Sequence, residues 1–467
     1  MNKYAIILAA GKGTRMKSLR DDLSKVSFPI LGQPLVKYVL ESLKPLGLDR
    51  IVTVVGFGGE MSKSIVEKDS EVVWQLEQKG TGHAVSQAAP LLESQKGETI
   101  ICCGDTPLLT SKTLAALFSS HETNHNALTI MTAVMDDPHG YGRIVKEKGR
   151  VQKIVEQKDC TPKEDLIKEV NAGVYIFDNE ELFKNLKKLT PNNAAGEYYL
   201  TDVIGMFVKD GLKVSSFSVS DQNETLGIND RYQLSVASKI IQARINKALM
   251  LSGVTMDDPD TTYVSPMAEI GQDTILRPGT SIFGKTVIGT GNIIGPQTYL
   301  ENCVVGNDNV ILSSYMSDTV IGNKTTLGPY MRSRNNAIIK DGAHIGNFVE
   351  IKNVQFGRGS KAAHLSYLGD AKIGEEVNVG CGTIIANYDG VNKFSSEIGD
   401  KSFVGSGSTI ISPVVLGESS FIAAGSTINR DVPSHAMGIA RARQENKEGY
   451  SDILKARALA IKKKSGK

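Results

Sequence analysis

Six aliphatic residues, Ile270, Leu276, Ile282, Ile288, Ile294 and Leu300, stand six positions apart in this chain. A second series runs Ile398, Val404, Ile410, Leu416, Ile422 and Ile428. A helix repeats every 3.6 residues and a strand every two, so neither turns one large side chain inward at every sixth position. A coiled solenoid does, with each aliphatic residue facing the axis of a parallel β-helix and Gly271, Gly289, Gly399 and Gly417 following at turns.

The ladder slips phase twice. Ile321, Leu327, Ile339, Ile345 and Ile351 form one run and Ile373, Val379 and Ile385 another. The slips predict residues looped out between Ile351 and Ile373, around Lys361–Asp370, and between Ile385 and Ile398, around Asn387–Lys393. Loops on a rigid scaffold are favoured places for chemistry.

The N-terminal half reads differently. Apolar runs at 5–10, 51–56, 99–103, 128–133 and 174–177 alternate with helical patterns, as a mostly parallel α/β sheet requires. The run from Tyr4 to Ala10 is short for a signal peptide and leads straight into a glycine-rich turn, so it reads as a buried first strand. Leu234, Ala237, Ile241, Ile245 and Leu249 predict a helix over 230–251, ended by Gly253. The expected organisation is an α/β domain over 1–228, a connecting helix over 229–254, a β-helix over 255–440 and a tail over 441–467.

A net charge of +2 gives no reason to expect nucleic acid, and no segment is long enough to span a membrane. Five cysteines without a C-x-x-C pair indicate neither a disulfide framework nor a zinc site, which points to a reducing, cytoplasmic setting. The tail carries six Lys or Arg between Lys455 and Lys467 without an acid, and reads as a solvated, frayed terminus.

The string Leu8-Ala-Ala-Gly11-Lys-Gly13-Thr-Arg15-Met16 places glycines after the first strand, where backbone N–H groups close around a phosphate. Arg15 and Lys25 are suited to neutralising the charge on a leaving pyrophosphate. The string is neither a Walker A loop nor a complete dinucleotide fingerprint. With Gln75, Gly80-Thr81-Gly82-His83, Gly104-Asp105-Thr106-Pro107, Gly140-Tyr-Gly142-Arg143, Glu156, Asn171 and Gly227-Ile-Asn229, it resembles the sugar nucleotidyltransferases. Joined to the solenoid, His364 and Asn387, the resemblance is to the family of bifunctional N-acetylglucosamine-1-phosphate uridyltransferase/glucosamine-1-phosphate acetyltransferases and spans nearly the whole chain.

The resemblance implies a Rossmann-like α/β nucleotidyltransferase domain followed by a left-handed parallel β-helix. It implies that Leu8, Gly11, Gly13, Lys25, Gln75, Gly80 and Thr81 bind UTP, with Arg15 and Lys25 catalytic. Gly142, Glu156, Asn171 and Asn229 would hold the sugar, and Asp105 and Asn229 would ligate Mg2+. In the second half it implies His364 as the base and Arg334, Lys352, Tyr367, Asn378 and Lys393 as the sugar-phosphate set. Cys381, Asn387, Tyr388, Ser406, Ala424, Arg441 and Lys447 would contact acetyl-CoA. The implied substrates are glucosamine-1-phosphate, N-acetylglucosamine-1-phosphate, UTP and acetyl-CoA, and the implied assembly is a homotrimer, which the flat faces of a β-helical prism suit.

Each residue has a plainer reading. Asp105 or Asn229 alone would cap a helix, and Glu156 alone would be a solvated acid. Two departures stand out. Leu23-Ser24-Lys25 follows a longer loop than is usual in the family, and Ser333-Arg334-Asn335-Asn336 replaces Arg-Pro-Gly. Ser333 falls in an inward slot, where a hydroxyl predicts a cavity and a polar group in need of a partner. The Ser333–Asn336 segment motivates one alternative, a uridyltransferase whose acyltransferase half is weakened or altered; a second, from a non-enzyme class, is a regulatory or assembly module built on the same folds.

Overall fold

The computed structural model describes residues 1–20, 22–193 and 196–465. They form two compact units, one of Met1–Leu251 with Tyr263–Pro266 and one of Ser252–Thr262 with Met267 onward.

The first unit is built on a sheet in the order Val214–Ser218, Leu128–Val134, Glu169–Asp178, Glu98–Cys103, Lys3–Ala9, Arg50–Val55 and Glu71–Trp74. All neighbours are parallel except around Glu169–Asp178, which runs against both of its partners. After Lys3 the first strand is apolar because both of its faces are covered. Tyr4, Ile6 and Ala10 join a core with the helices Thr81–Ser86 and Asn179–Leu186. Ala5, Ile7 and Ala9 join another with Leu35–Leu43 and Ser111–Thr123. Leu8 lies beside Cys103 where these central strands end, so Gly11 and Asp105 emerge together at their carboxyl ends. That edge is where open α/β sheets bind ligands.

The five expected strands are present. The sequence reading missed Glu71–Trp74, Val214–Ser218 and the hairpin Arg143–Glu147/Arg150–Val155, which are short or mixed in polarity. The helix expected as a connector, Arg231–Leu251, packs within the first unit: Ala237 and Ile241 are buried against Ile30, Leu35, Leu108 and Ile228.

In the second unit Ile270 pairs with Ile288, Leu276 with Ile294 and Ile282 with Leu300. Three inward slots therefore make one coil of eighteen residues, and the six-residue period is the spacing of the three sides. The chain forms a parallel β-helix of hexapeptide repeats.

The phase slips have two causes. From Ile288 to Val305 and on to Ile321 the coil shortens to seventeen and then sixteen residues, with no loop. The loop expected between Ile351 and Ile373 does not exist. Lys361–Ile373 is a strand paired along its length with His344–Phe356, with Ala362 under Ile345 and Leu368 under Ile351. Small Ala362 hid the slot from a search for large aliphatics. The second insertion is real: Ile373 pairs with Ile398 and Val379 with Val404, twenty-five residues on, and the surplus is a small hairpin closed at Tyr388 and Lys393.

Ser333 is fully buried between Met316 and Ile351, so the slot does point inward. Its hydroxyl is not orphaned, because it shares a 2.6 Å hydrogen bond with Thr319, whose hydroxyl also reaches Ser317 O at 2.8 Å. Asn335 and Asn336 make the turn with φ of 59° and 58°, the left-handed region asparagine tolerates better than most residues. The tail expected to fray is helical over Tyr450–Lys464, with every side chain exposed.

Candidate active sites

In the first unit, a pocket of about 250 Å3 is lined by Leu8, Gly11, Lys25, Gln75, Gly80, Thr81 and Asp105 among others. Residues from four separate stretches of sequence thus meet at the carboxyl edge of the sheet. Gly11 has open space where a side chain would stand, which leaves its backbone free to approach a ligand. Gly13 acts differently: at φ +62°, a Cβ there would stand 2.5 Å from Lys25 Cβ, so the glycine lets the lysine close in. Gln75 is buried, and its amide nitrogen donates to Gly80 O at 3.1 Å and lies 3.0 Å from His83 Nδ1. Thr81 uses its hydroxyl to accept from Leu200 N.

Lys25 forms a close ion pair with Asp105 and donates to Asn229 Oδ1 at 3.2 Å, and Arg15 donates to the same oxygen at 2.8 Å. The capping alternatives fail. Thr110 caps the helix that follows Asp105, and Asp230 accepts from Gln233 N at the start of the helix that follows Asn229. The Asp105 and Asn229 oxygens converge on a single cationic group, the Lys25 ammonium. Two hard oxygen donors aimed at one positive centre fit a divalent cation such as Mg2+. Among the described residues no cluster of three His, Cys, Asp or Glu exists to form a denser metal site.

Beside this lies a second cluster. Asn171 N donates to Gly142 O at 2.8 Å, and a Cβ on Gly142 would stand 2.9 Å from Ile154, 3.5 Å from Glu156 and 3.6 Å from Asn171. The strand register shifts between Asn171 and Tyr175, with Gly173 at φ +72° inside the shift, and this turns Asn171 toward Tyr175 OH at 2.6 Å. Burial raises the Glu156 carboxyl above its usual range, partly opposed by a hydrogen bond from Thr201, so it is not the solvated acid of the plain reading. Cys103 lines the pocket, and burial followed by nearby Asp105 pushes its thiol up to about 12. It is therefore packing and not a thiolate nucleophile.

In the second unit, Asn347 pairs with His364, and the register carries that corner on through Cys381, Ser406 and Ala424. The bonds Gly407 N to Cys381 O and Gly425 N to Ser406 O run along it. One exposed ridge thus holds four expected residues. His364 is on a strand and not on an ejected loop. Asn347 Oδ1 lies 3.1 Å from His364 Nδ1; an amide oxygen only accepts, so Nδ1 carries the hydrogen, and in the neutral ring the lone pair is then the one on Nε2. Asn347 was missed because its partnership needs the seventeen-residue coil length.

The next corner holds Lys352 and Asn387, both buried, joined through Asp370. Lys352 donates to Asp370 at 3.3 Å, Asn387 at 2.5 Å and Asn353 at 2.8 Å. Burial raises the Asp370 carboxyl, but these donors outweigh it and hold it below its usual range. Gly369 has no room for a Cβ, which would meet Tyr367 OH at 2.5 Å and Asn387 at 2.7 Å. Arg334 pairs with Glu350 at 2.6 Å. Asp370, Gly369 and Glu350 carried no motif signal of their own.

Asn378, Tyr388 and Lys393 are exposed, and Arg441 and Lys447 lie exposed beyond the last strand, Met437–Gly438, away from the ridge pairing. The two corners are not brought together: five residues of strand, from His364 to Gly369, separate them by about 17 Å at ~3.3 Å per residue.

Residues 4–227 match the nucleotidyl transferase family and residues 395–430 match the bacterial transferase hexapeptide (six repeats) family. The chain is an enzyme that joins a nucleotidyltransferase to a hexapeptide-repeat transferase. It is 48% identical over 466 residues to the bifunctional protein GlmU of Geobacillus sp. (strain WCH70), covering 100% of both chains. It is 49% identical to that of Halalkalibacterium halodurans, covering 96% of this chain and 98% of the relative, and 48% identical to that of Enterococcus faecalis, covering 97% and 98%. The chain belongs to the GlmU family of bifunctional proteins.

Proposed function

We propose that the chain makes UDP-N-acetylglucosamine in two steps: acetyl transfer from acetyl-CoA to glucosamine-1-phosphate, then uridylyl transfer from UTP to N-acetylglucosamine-1-phosphate. The observation that carries the reading is the convergence of Lys25, Asp105, Asn229 and Arg15 beside the pocket that holds Gly11 and Gln75. Family membership over the full length favours this over a regulatory module or a weakened acetyltransferase.

In uridylyl transfer, a phosphate oxygen of the sugar attacks the α-phosphorus of UTP in line, a new P–O bond forms, and the bond to pyrophosphate breaks. Gly11, Leu8 and Thr81 border the nucleotide, Gln75 reads the uracil, and Arg15 and Lys25 neutralise the departing pyrophosphate. Asp105 and Asn229 would hold Mg2+, whose charge offsets that of the phosphates. Gly142, Asn171 and Glu156 orient the sugar, so catalysis rests on positioning and charge.

In acetyl transfer, the sugar amine attacks the thioester carbonyl, the C–S bond breaks, and the coenzyme A thiolate leaves. His364 Nε2 accepts the ammonium proton, with Asn347 holding the productive tautomer. Lys352, Arg334, Tyr367, Asn378 and Lys393 receive the sugar phosphate. Cys381, Ser406 and Ala424 border acetyl-CoA, with Asn387, Tyr388, Arg441 and Lys447 completing its contacts. Because the His364 corner and the Lys352 corner stand apart within one unit, a pocket that contains both draws them from neighbouring copies, as in a homotrimer. The setting is the cytoplasm, where UTP and acetyl-CoA are at hand.

A single assay tests the reading: glucosamine-1-phosphate, acetyl-CoA, UTP and Mg2+ are supplied, and coenzyme A and pyrophosphate release are both followed. Release of neither product would sink it.

A further inference from the structure

Among the described residues Arg143 is the largest fully buried side chain, 1% exposed, and the motif reading left it unassigned. A buried guanidinium costs more than an apolar side chain of its size unless its donors are used where position matters. Nη1 donates to Pro138 O at 2.8 Å and to Tyr141 O; Nη2 donates to Gln157 Oε1 at 2.8 Å and Asp165 Oδ1 at 3.0 Å. Nε finds no partner. The same Gln157 oxygen accepts from Gly140 N at 3.0 Å, and Gln157 in turn donates to Asp165 at 2.9 Å. Two of these bonds hold the turn before Gly142 and two reach the segment that starts at Glu156, so the guanidinium links the one to the other.

We infer that Arg143 is a positioning residue for the sugar phosphate in uridylyl transfer, its planar fork setting the separation at which Gly142, Asn171 and Glu156 face one sugar. The inference rests on the uridyltransferase reading above. A fork with fixed geometry suits this task, whereas a lysine offers a single mobile point charge. Arg143 touches no reacting atom. Its effect passes through the Gly142 carbonyl, which accepts from Asn171 N, and through the neighbour of Glu156.

The test uses the full chain carrying Asp165→Asn, whose side chain is 52% exposed and tolerates change, and separately Arg143→Lys. Initial rates are measured with N-acetylglucosamine-1-phosphate and UTP varied in turn. The expected result is a KM for the sugar phosphate raised on the order of tenfold in Arg143→Lys and less in Asp165→Asn. The KM for UTP and the acetyl-transfer rate should stay within about twofold. A fall in kcat alone, or equal rises in both KM values, would overturn the inference. Should the unmodified chain transfer no uridylyl group, the uridyltransferase reading fails by itself and amide exchange decides the bracket. Faster exchange at Gly140 and Asn171 in Asp165→Asn, with the central sheet unchanged, supports it, and unchanged exchange there overturns it.

Discussion

The Lys25 ammonium donates to the Asn229 side-chain oxygen at 3.2 Å, across 204 residues of chain. The same ammonium pairs with Asp105, so three residues with no sequence proximity share one charge centre. If Asp105 and Asn229 hold Mg2+ as proposed, the Lys25 ammonium would give way to it and be free to meet a phosphate.

Asp105→Ala should therefore lower pyrophosphate release by about 10²-fold or more while acetyl transfer is retained. Chelation with EDTA should stop pyrophosphate release and spare coenzyme A release. If both activities fell together in a folded Asp105→Ala variant, the two sites would have to be coupled.

His364→Ala should do the reverse, lowering coenzyme A release by about 10²-fold or more, as expected for a lost general base. Asn347→Ala should cost less, because it frees the tautomer and leaves the imidazole in place. Equal losses would show that Asn347 touches substrate itself.

Ser333→Leu should lower stability by about 1–3 kcal/mol, because a branched side chain there must displace the Thr319 hydroxyl, 2.6 Å from Ser333 Oγ, and leave it without that partner. The ladder alone predicts the opposite sign. Ser333→Ala should cost about 1 kcal/mol for the lost hydrogen bond. Thermal unfolding of both variants separates the two expectations.

Burial holds the Glu156 carboxyl above its ordinary range, with Thr201 opposing and Asp159 and Asp202 adding to the rise. An acid raised in this way binds more protons folded than unfolded, so stability falls as pH climbs from the unfolded pKa through the folded one. Glu156→Gln should then be no less stable than the unmodified chain at about pH 4 and more stable at about pH 8. Its KM for the sugar phosphate should rise. A stability advantage that shrinks with rising pH would mean that the carboxylate is paired when ionised.

Much of this was legible in residue order. The period of Ile270 to Leu300 defined the coil, and the strings around Gly11, Asp105 and Asn229 located the edge of the sheet. Two features misled. A slipped ladder between Ile351 and Ile373 looked like an ejected loop, because Ala362 fills an inward slot with too small a side chain to register as apolar. Ser333 looked like a defect, because its partner Thr319 is fourteen residues away and adjacent only once the coil closes.

Sequence by itself determined the periodicities, the glycines at turns and the identity of the chemical groups, since these are properties of local order. Only the tertiary structure decided which oxygens share Lys25, that Asn347 orients His364, that Asp370 gathers Lys352 and Asn387, and that Arg143 clamps the Gly142 turn. Those partnerships depend on the number of residues in each coil and on which strand ends lie side by side. Hydrogen bonds and ion pairs act over about 3 Å, and a shift of one residue in register moves a side chain farther than that.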